Sequence, residues 1–106
     1  MSEAAEEIQN GTYTGKCIGD YDQNDFYKIN LTSGQNLTVQ LRHTSTPAPV
    51  YSIIVYDAAL NEKIRNDTID IDKAVTIAVD LTGFWLIEVR SASPQYCGFY
   101  SMRVDH

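Results

Sequence analysis

Three aspartates lie close together just before the first long strand-like pattern of the chain. Asp20, Asp22 and Asp25 lead directly into the sequence FYKINL. Carboxylate oxygens, together with backbone carbonyls of a loop, are the ligands that calcium prefers in proteins. The segment is therefore a candidate cation site. Aspartates also form turns and stay solvated at the ends of strands, and this alternative stays open.

The chain offers few groups that could carry out catalysis. His43 and His106 are its two histidines, and the sequence has no HExxH, GxSxG or phosphate-binding glycine motif. A cysteine–histidine nucleophile requires His43 beside Cys17 or Cys97. The pattern instead predicts His43 at a strand end, next to a proline-rich loop. We therefore expect no enzymatic activity.

The two cysteines, Cys17 and Cys97, lie near opposite ends of the chain. This separation excludes a CxxC redox or zinc pair. If the first and last strands are neighbours, the two thiols can form a disulfide. A closed loop of about 80 residues would stabilise the fold by on the order of 4 kcal/mol. Two buried, reduced cysteines are the alternative.

Glycosylation sequons and composition bear on the compartment and the partners. Four sequons begin at Asn10, Asn30, Asn36 and Asn66, where about one is expected by chance. Together with the cysteines, they favour an exported, extracellular or cell-surface protein. The net charge is -6, and nucleic-acid binding is excluded because it requires a basic face.

Membrane and targeting signals are missing from the sequence. It contains no run of about 18 apolar residues, so we expect no transmembrane segment. Residues 1–10 are acidic and lack the apolar core of a signal peptide. We interpret residues 1–10 as an acidic linker and residues 11–106 as one domain, monomeric in isolation.

Apolar residues alternate with polar ones along most of the chain, which predicts strands. Tyr27, Ile29 and Leu31 share one face of the second strand, and Ser33-Gly34 is a turn to the next strand. In the later strands, the residues predicted to point inward are Leu37, Val39, Leu41, Val75, Ile77, Val79, Leu81, Trp85, Ile87, Val89, Tyr100, Met102 and Val104. The pattern predicts about eight short strands, which is typical of an all-β sandwich. The predicted strands cover residues 11–18, 26–31, 37–42, 50–57, 63–65, 73–81, 84–90 and 99–104.

Five segments in this order match a known pattern: DFYKINL, SGQNLTVQL, IIVYD, TGFWLIEV and GFYSMRV. The chain resembles the bacterial and archaeal pre-peptidase C-terminal domain family, which is related to the collagen-binding domain of clostridial collagenases. The resemblance implies an eight-stranded antiparallel jelly-roll sandwich. It also implies a non-catalytic accessory domain of a secreted protease or other hydrolase, which binds a protein, a matrix or a cell-wall polymer.

The same resemblance implies a calcium site between an acidic N-terminal linker and a D-x-x-D loop. In this chain Asp22 and Asp25 occupy the D-x-x-D positions, Asp20 lies close by, and Glu6 and Glu7 are the linker acids. We therefore expect Ca²⁺ as the cofactor of this domain.

A partner-binding face is predicted from residues on the outward side of their strands. Exposed together, they would form an apolar patch of a kind that monomers rarely leave without a function. The alternative is that loops or an edge strand cover them. These residues are Phe26, Ile54, Tyr56, Phe84 and Leu86.

Two other functions stay open. A carbohydrate-binding module needs coplanar exposed aromatic residues, and a structural cell-surface domain would depend most on the sequons. The aromatic candidates are Tyr13, Tyr21, Tyr51, Tyr96 and Phe99.

Overall fold

The computed structural model describes residues 5–15, 24–43, 51–67, 72–91 and 100–106. Within these ranges the chain forms nine strands and no helix, so no described segment is a helix able to cross a membrane. The strands are β1 (Glu6–Ile8), β2 (Gly11–Gly15), β3 (Asn24–Leu31), β4 (Asn36–His43), β5 (Tyr51–Tyr56), β6 (Glu62–Asn66), β7 (Asp72–Ala78), β8 (Gly83–Ser91) and β9 (Tyr100–Asp105).

The strands form two sheets that enclose one core. One sheet has the order β1-β3-β8-β5-β6, and the other has the order β2-β9-β4-β7. Without β1, this is the strand order of a jelly roll. The predicted β-sandwich is therefore confirmed. It differs from an eight-stranded antiparallel sandwich because β1 adds a strand, which pairs with β3 in parallel.

Strand β1 lies within residues 1–10, which the sequence pattern assigned to a linker. Ile8 pairs with Ile29 of β3 and is 3% exposed within the core. The Tyr13 hydroxyl accepts a hydrogen bond from the Gln9 amide at 2.9 Å and donates one to the Gln9 carbonyl at 2.8 Å. The chain is thereby fixed between β1 and β2, so at least residues 6–8 belong to the folded domain.

The core follows from the predicted alternation in β3, β4, β8 and β9. Trp85 is fully buried, and its Nε1 donates to the Leu81 carbonyl at 2.8 Å. Leu81 was predicted to point inward, but it is exposed because β7 ends at Ala78 and Leu81 lies in the turn toward β8. Ile77 is only partly buried. Tyr27, Ile29 and Leu31, predicted to share one face, are all buried. The inward predictions confirmed as buried are Leu37, Val39, Leu41, Val75, Val79, Trp85, Ile87, Val89, Tyr100, Met102 and Val104.

One end of the sandwich, here called the loop end, collects the strand ends that border the segments outside the described residues. Register pairs Gly15 with Tyr100, Tyr100 with His43, and Tyr51 with Ser91. The rings of Tyr51 and Tyr100 lie 5.3 Å apart, which brings the two sheets together at this end. Residues 16–23, which carry Asp20 and Asp22, begin here.

Candidate functional site

A chain of hydrogen bonds closes the core at the loop end. The Tyr100 hydroxyl of β9 donates to Oδ2 of Asp25 on β3 at 2.5 Å. The hydroxyl groups of Tyr27 and Tyr100 are 2.6 Å apart. Because Tyr100 gives its proton to Asp25, Tyr27 is the donor in this second bond. The chain of three groups links one sheet to the other.

Burial keeps three tyrosines at the loop end protonated: Tyr27, Tyr51 and Tyr100. It is the main cause that raises the pKa of Tyr100 far above its ordinary value, and the hydrogen bond to Asp25 raises that pKa further. Burial likewise raises the pKa of Tyr27 and of Tyr51, and the charge of Asp25 adds to both shifts. The hydroxyls therefore serve as hydrogen-bond donors at neutral pH.

The predicted calcium ligands fall into two groups. Glu6 pairs in register with Tyr27 and, with Asp25, contributes to the electrostatic environment of the Tyr27 hydroxyl. Glu7 pairs with Lys28 and points to the opposite side of the strand. Glu6 and Asp25 can therefore approach one ion, whereas Glu7 faces away from them.

Calcium binding stays a prediction. Asp20 and Asp22 lie outside the described residues, and the described part of the chain contains no group of three or more acidic, histidine or cysteine residues that could hold a metal. The donors Glu6 and Asp25 fit a calcium ion chemically, because both offer carboxylate oxygens beside the segment that carries the other two aspartates.

The predicted disulfide also stays a prediction, because Cys17 and Cys97 lie outside the described residues. The strands that lead to them are nevertheless neighbours: β2 ends at Gly15, which pairs with Tyr100 at the start of β9. This is the arrangement that the disulfide requires. His43, which was considered above as a partner of these cysteines, lies at the end of β4, and its backbone pairs with Tyr100.

Register places all five residues of the predicted binding face on the outer side of the five-stranded sheet. Their exposure differs: Phe84 is 48% exposed, Phe26, Tyr56 and Leu86 are half-buried, and Ile54 is fully buried. Ile54 is therefore not part of an exposed patch. We call this surface the five-strand face; its residues are Phe26, Lys28, Asn30, Ile54, Tyr56, Phe84, Leu86, Glu88 and Arg90.

A buried carboxylate at the centre of the five-strand face was not predicted from the sequence. Glu88 lies between its cross-strand partners Phe26 and Ile54 and is 1% exposed. Its Oε2 accepts a hydrogen bond from Arg90 Nε at 2.9 Å, and its Oε1 accepts one from the Tyr56 hydroxyl at 2.8 Å. Such bonds keep a buried charge satisfied and fix the donor side chains in place.

The four sequon asparagines differ in their surroundings. Asn30 and Asn36 are exposed on β3 and β4. Asn10 is exposed too, but its Oδ1 accepts a hydrogen bond from the His106 amide at 2.9 Å. Asn66 is half-buried and donates to the Ala74 carbonyl at 3.1 Å. Glycosylation at these positions stays a prediction.

Solved structures share this architecture across nearly the whole chain. The pre-peptidase C-terminal domain of a collagenase from Bacillus anthracis has a TM-score of 0.82 at 17% identity and covers 99% of this chain and 98% of its own. The mitogen from Yersinia pseudotuberculosis has a TM-score of 0.70 at 22% identity, with coverages of 91% and 84%. A periplasmic inhibitor of g-type lysozyme from Aeromonas hydrophila has a TM-score of 0.65 at 17% identity, with coverages of 95% and 94%.

These likenesses establish the fold. The chain has the fold of a pre-peptidase C-terminal domain, as the sequence resemblance implied. No protein-family profile and no curated protein sequence matches the chain. The neighbours differ in what they do, so the shared fold does not by itself assign a function to this chain.

Proposed function

We propose that this chain is a non-catalytic binding domain of an exported protein, associated with a protease or another hydrolase. It holds a protein or a matrix or cell-wall polymer through the five-strand face. The domain of similar fold from a collagenase and the periplasmic lysozyme inhibitor support this assignment. The lysozyme inhibitor is periplasmic, which supports the exported location.

The observation that carries the proposal is the composition of the five-strand face. Phe84 is exposed beside half-buried Leu86, and Lys28 Nζ lies 5.3 Å from the centre of the Phe84 ring. Tyr56 and Arg90 are held in place by the buried Glu88. Aromatic residues and arginine are enriched where proteins bind partners, and side chains that are already ordered lose less entropy on binding.

The carbohydrate-binding alternative through coplanar tyrosines has less support. Tyr51 is fully buried, and the hydroxyl of half-buried Tyr13 is bonded to the backbone of Gln9. Neither ring is an open stacking surface, and Tyr21, Tyr96 and Phe99 lie outside the described residues.

We also propose that calcium stabilises the domain, with Glu6 and Asp25 supplying ligands alongside Asp20 and Asp22.

Co-sedimentation with insoluble collagen and with purified cell-wall polymer tests the binding role. We expect binding to at least one of them, and we expect Phe84→Ser to weaken it about tenfold or more, as for a central interface residue. The matched control is Leu60→Ser, which removes an exposed apolar side chain from the turn after β5. Absence of binding, or equal losses in the two variants, would contradict the proposal.

A further inference from the structure

One glycosylation sequon lies directly beside the exposed aromatic residue of the five-strand face. Asn30, the acceptor residue of the sequon Asn30-Leu31-Thr32, pairs in register with Phe84 across β3 and β8. Asn30 is exposed, and Phe84 is 48% exposed. Side chains directly opposite each other on one face of an antiparallel pair have Cβ atoms about 5 Å apart. A saccharide joined to Asn30 therefore begins next to the Phe84 ring.

The two residues that define this sequon are accessible in the folded chain. Asn30 is the penultimate residue of β3, and the exposed Thr32 lies just beyond the strand, at the turn toward β4. On its β1 side, away from β8, Asn30 borders an open cavity of about 370 Å³ whose lining includes Glu7 and Gln9. Strand β1 therefore leaves room for a sugar, and the polar groups of the cavity can bond its hydroxyls.

The other three sequons lack this combination of features. Asn10 and Asn66 use their side chains in hydrogen bonds to backbone groups. Asn36 is exposed, but its cross-strand partner is Ala78, which offers no ring. Asn36 is therefore the matched comparison for Asn30: an exposed sequon without an aromatic neighbour.

A saccharide at Asn30 would cover an aromatic ring that the fold leaves in water. Phe84 is the one aromatic side chain among the exposed large apolar residues of the described ranges. Covering it with the C–H face of a sugar removes apolar area from water, which is favourable. Lys28 lies two positions before Asn30, so its contact with the ring at 5.3 Å is diagonal. The position directly across from the ring belongs to Asn30.

We propose that Asn30 carries an N-linked saccharide whose first sugar packs on Phe84. In the transfer, Nδ2 of Asn30 forms a bond to C1 of the first sugar of a polyprenyl-phosphate-linked oligosaccharide. The bond between C1 and the phosphate oxygen breaks, the polyprenyl phosphate leaves with the electron pair, and Nδ2 gives up one proton. The saccharide also regulates the proposed binding role, on which this part of the inference rests, because a covered five-strand face no longer reaches its partner.

Secretion of the chain from a eukaryotic host, with and without tunicamycin, tests the assignment, because tunicamycin blocks synthesis of the lipid-linked donor. Two variants each keep one sequon, at Asn30 or at Asn36, and carry glutamine at the other three sequon asparagines. In the Asn30 variant, peptide mapping should find the saccharide. Its glycosylated form should melt about 2–5 °C above its bare form, as for one favourable cross-strand contact. In the Asn36 variant, the two forms should melt at the same temperature.

Phe84→Ser, added to the Asn30 variant, supplies the second measurement. The saccharide should stay attached while the rise in melting temperature is lost, because no ring is left to cover. Absence of a saccharide at Asn30, an equal rise in the Asn36 variant, or an undiminished rise after Phe84→Ser would overturn the assignment.

Co-sedimentation with collagen and with cell-wall polymer tests the regulation. The glycosylated Asn30 variant should bind at least about tenfold more weakly than its bare form. Equal binding by the two forms would overturn the regulatory part. If neither form binds, the proposed binding role fails, while the melting temperatures still decide the assignment of Asn30.

Discussion

Tyr100 connects the two sheets at a single point in the core. Its hydroxyl lies between Tyr27 and Asp25, both on β3, while Tyr100 itself belongs to β9. A buried hydroxyl is tolerated only when it is hydrogen-bonded. This network therefore specifies how the sheets face each other, which apolar packing alone specifies less sharply.

The network predicts a loss of stability at alkaline pH. Burial raises the pKa of Tyr100, Tyr27 and Tyr51 above the unfolded value of 10.0. Their contribution is complete below this value and is lost as the pH rises above it, because the unfolded chain releases protons that the folded chain retains. The free energy of unfolding should fall by about 1.4 kcal/mol per pH unit for each such tyrosine above about pH 10.

Urea unfolding followed through the fluorescence of Trp85, the single tryptophan, measures this dependence. Tyr100→Phe should be less stable at neutral pH, since Asp25 loses a donor, and should show a shallower decline above about pH 10. A variant with the same slope as the original chain would contradict the assignment.

The placement of single residues shows the limit of the sequence pattern. Alternation correctly predicts that Ile87 and Val89 point inward and Glu88 outward. It does not predict that Glu88 is buried, because this burial depends on Tyr56 and Arg90, which cover it from a neighbouring strand and from its own. Cross-strand neighbours are known only once the register is known.

At the scale of elements, β1 is the strand that the sequence pattern missed. It has three residues, Glu6–Ile8, and only the last is buried. So short a segment has no alternation to recognise, and two adjacent glutamates are typical of a solvated linker. Its position depends on a parallel pairing with β3, a contact between segments that are distant in sequence.

Replacing Ile8 tests whether β1 is an integral part of the sandwich. Ile8→Ala removes a buried side chain and should lower the free energy of unfolding by about 2–4 kcal/mol. Glu7→Ala, one position away on the exposed side, should change it by less than about 0.5 kcal/mol. Urea titrations of both variants provide the measurement, and equal stabilities would mean that β1 does not stabilise the domain.

At the scale of the molecule, the jelly roll separates three regions with different chemistry. The five-strand face is aromatic and carries the buried Glu88, the outer face of the four-stranded sheet is polar, and the loop end holds the hydrogen bonds between Asp25, Tyr27 and Tyr100. The fold follows from alternation and turn chemistry, and these were readable in the sequence. The sequence does not predict which side chains meet on the outer faces, because each face is assembled from strands that are far apart in the chain.

The loop end is where a bound cation would affect the whole molecule. Calcium at Asp25 and Glu6 would join β3 and β1 to the segment 16–23, and a ligand that binds only the folded state raises its stability. At a concentration about 100-fold above the dissociation constant, the gain is about 2.7 kcal/mol, so the melting temperature should rise by about 10 °C or more. Millimolar CaCl₂ should produce this rise after EDTA treatment, and MgCl₂ a smaller one.

Variants identify the calcium ligands. For each variant, the measured quantity is the rise in melting temperature that calcium produces, so a change in the stability of the calcium-free variant does not affect the comparison. Asp25→Asn and Asp22→Asn should abolish the rise, and Glu6→Gln should reduce it. Glu7→Gln should retain it, because Glu7 faces Lys28 on the other side of the strand. If the original chain melts at the same temperature with calcium and with EDTA, the loop end holds no calcium, and Asp20 and Asp22 fit the alternative interpretation of turn-forming, solvated residues.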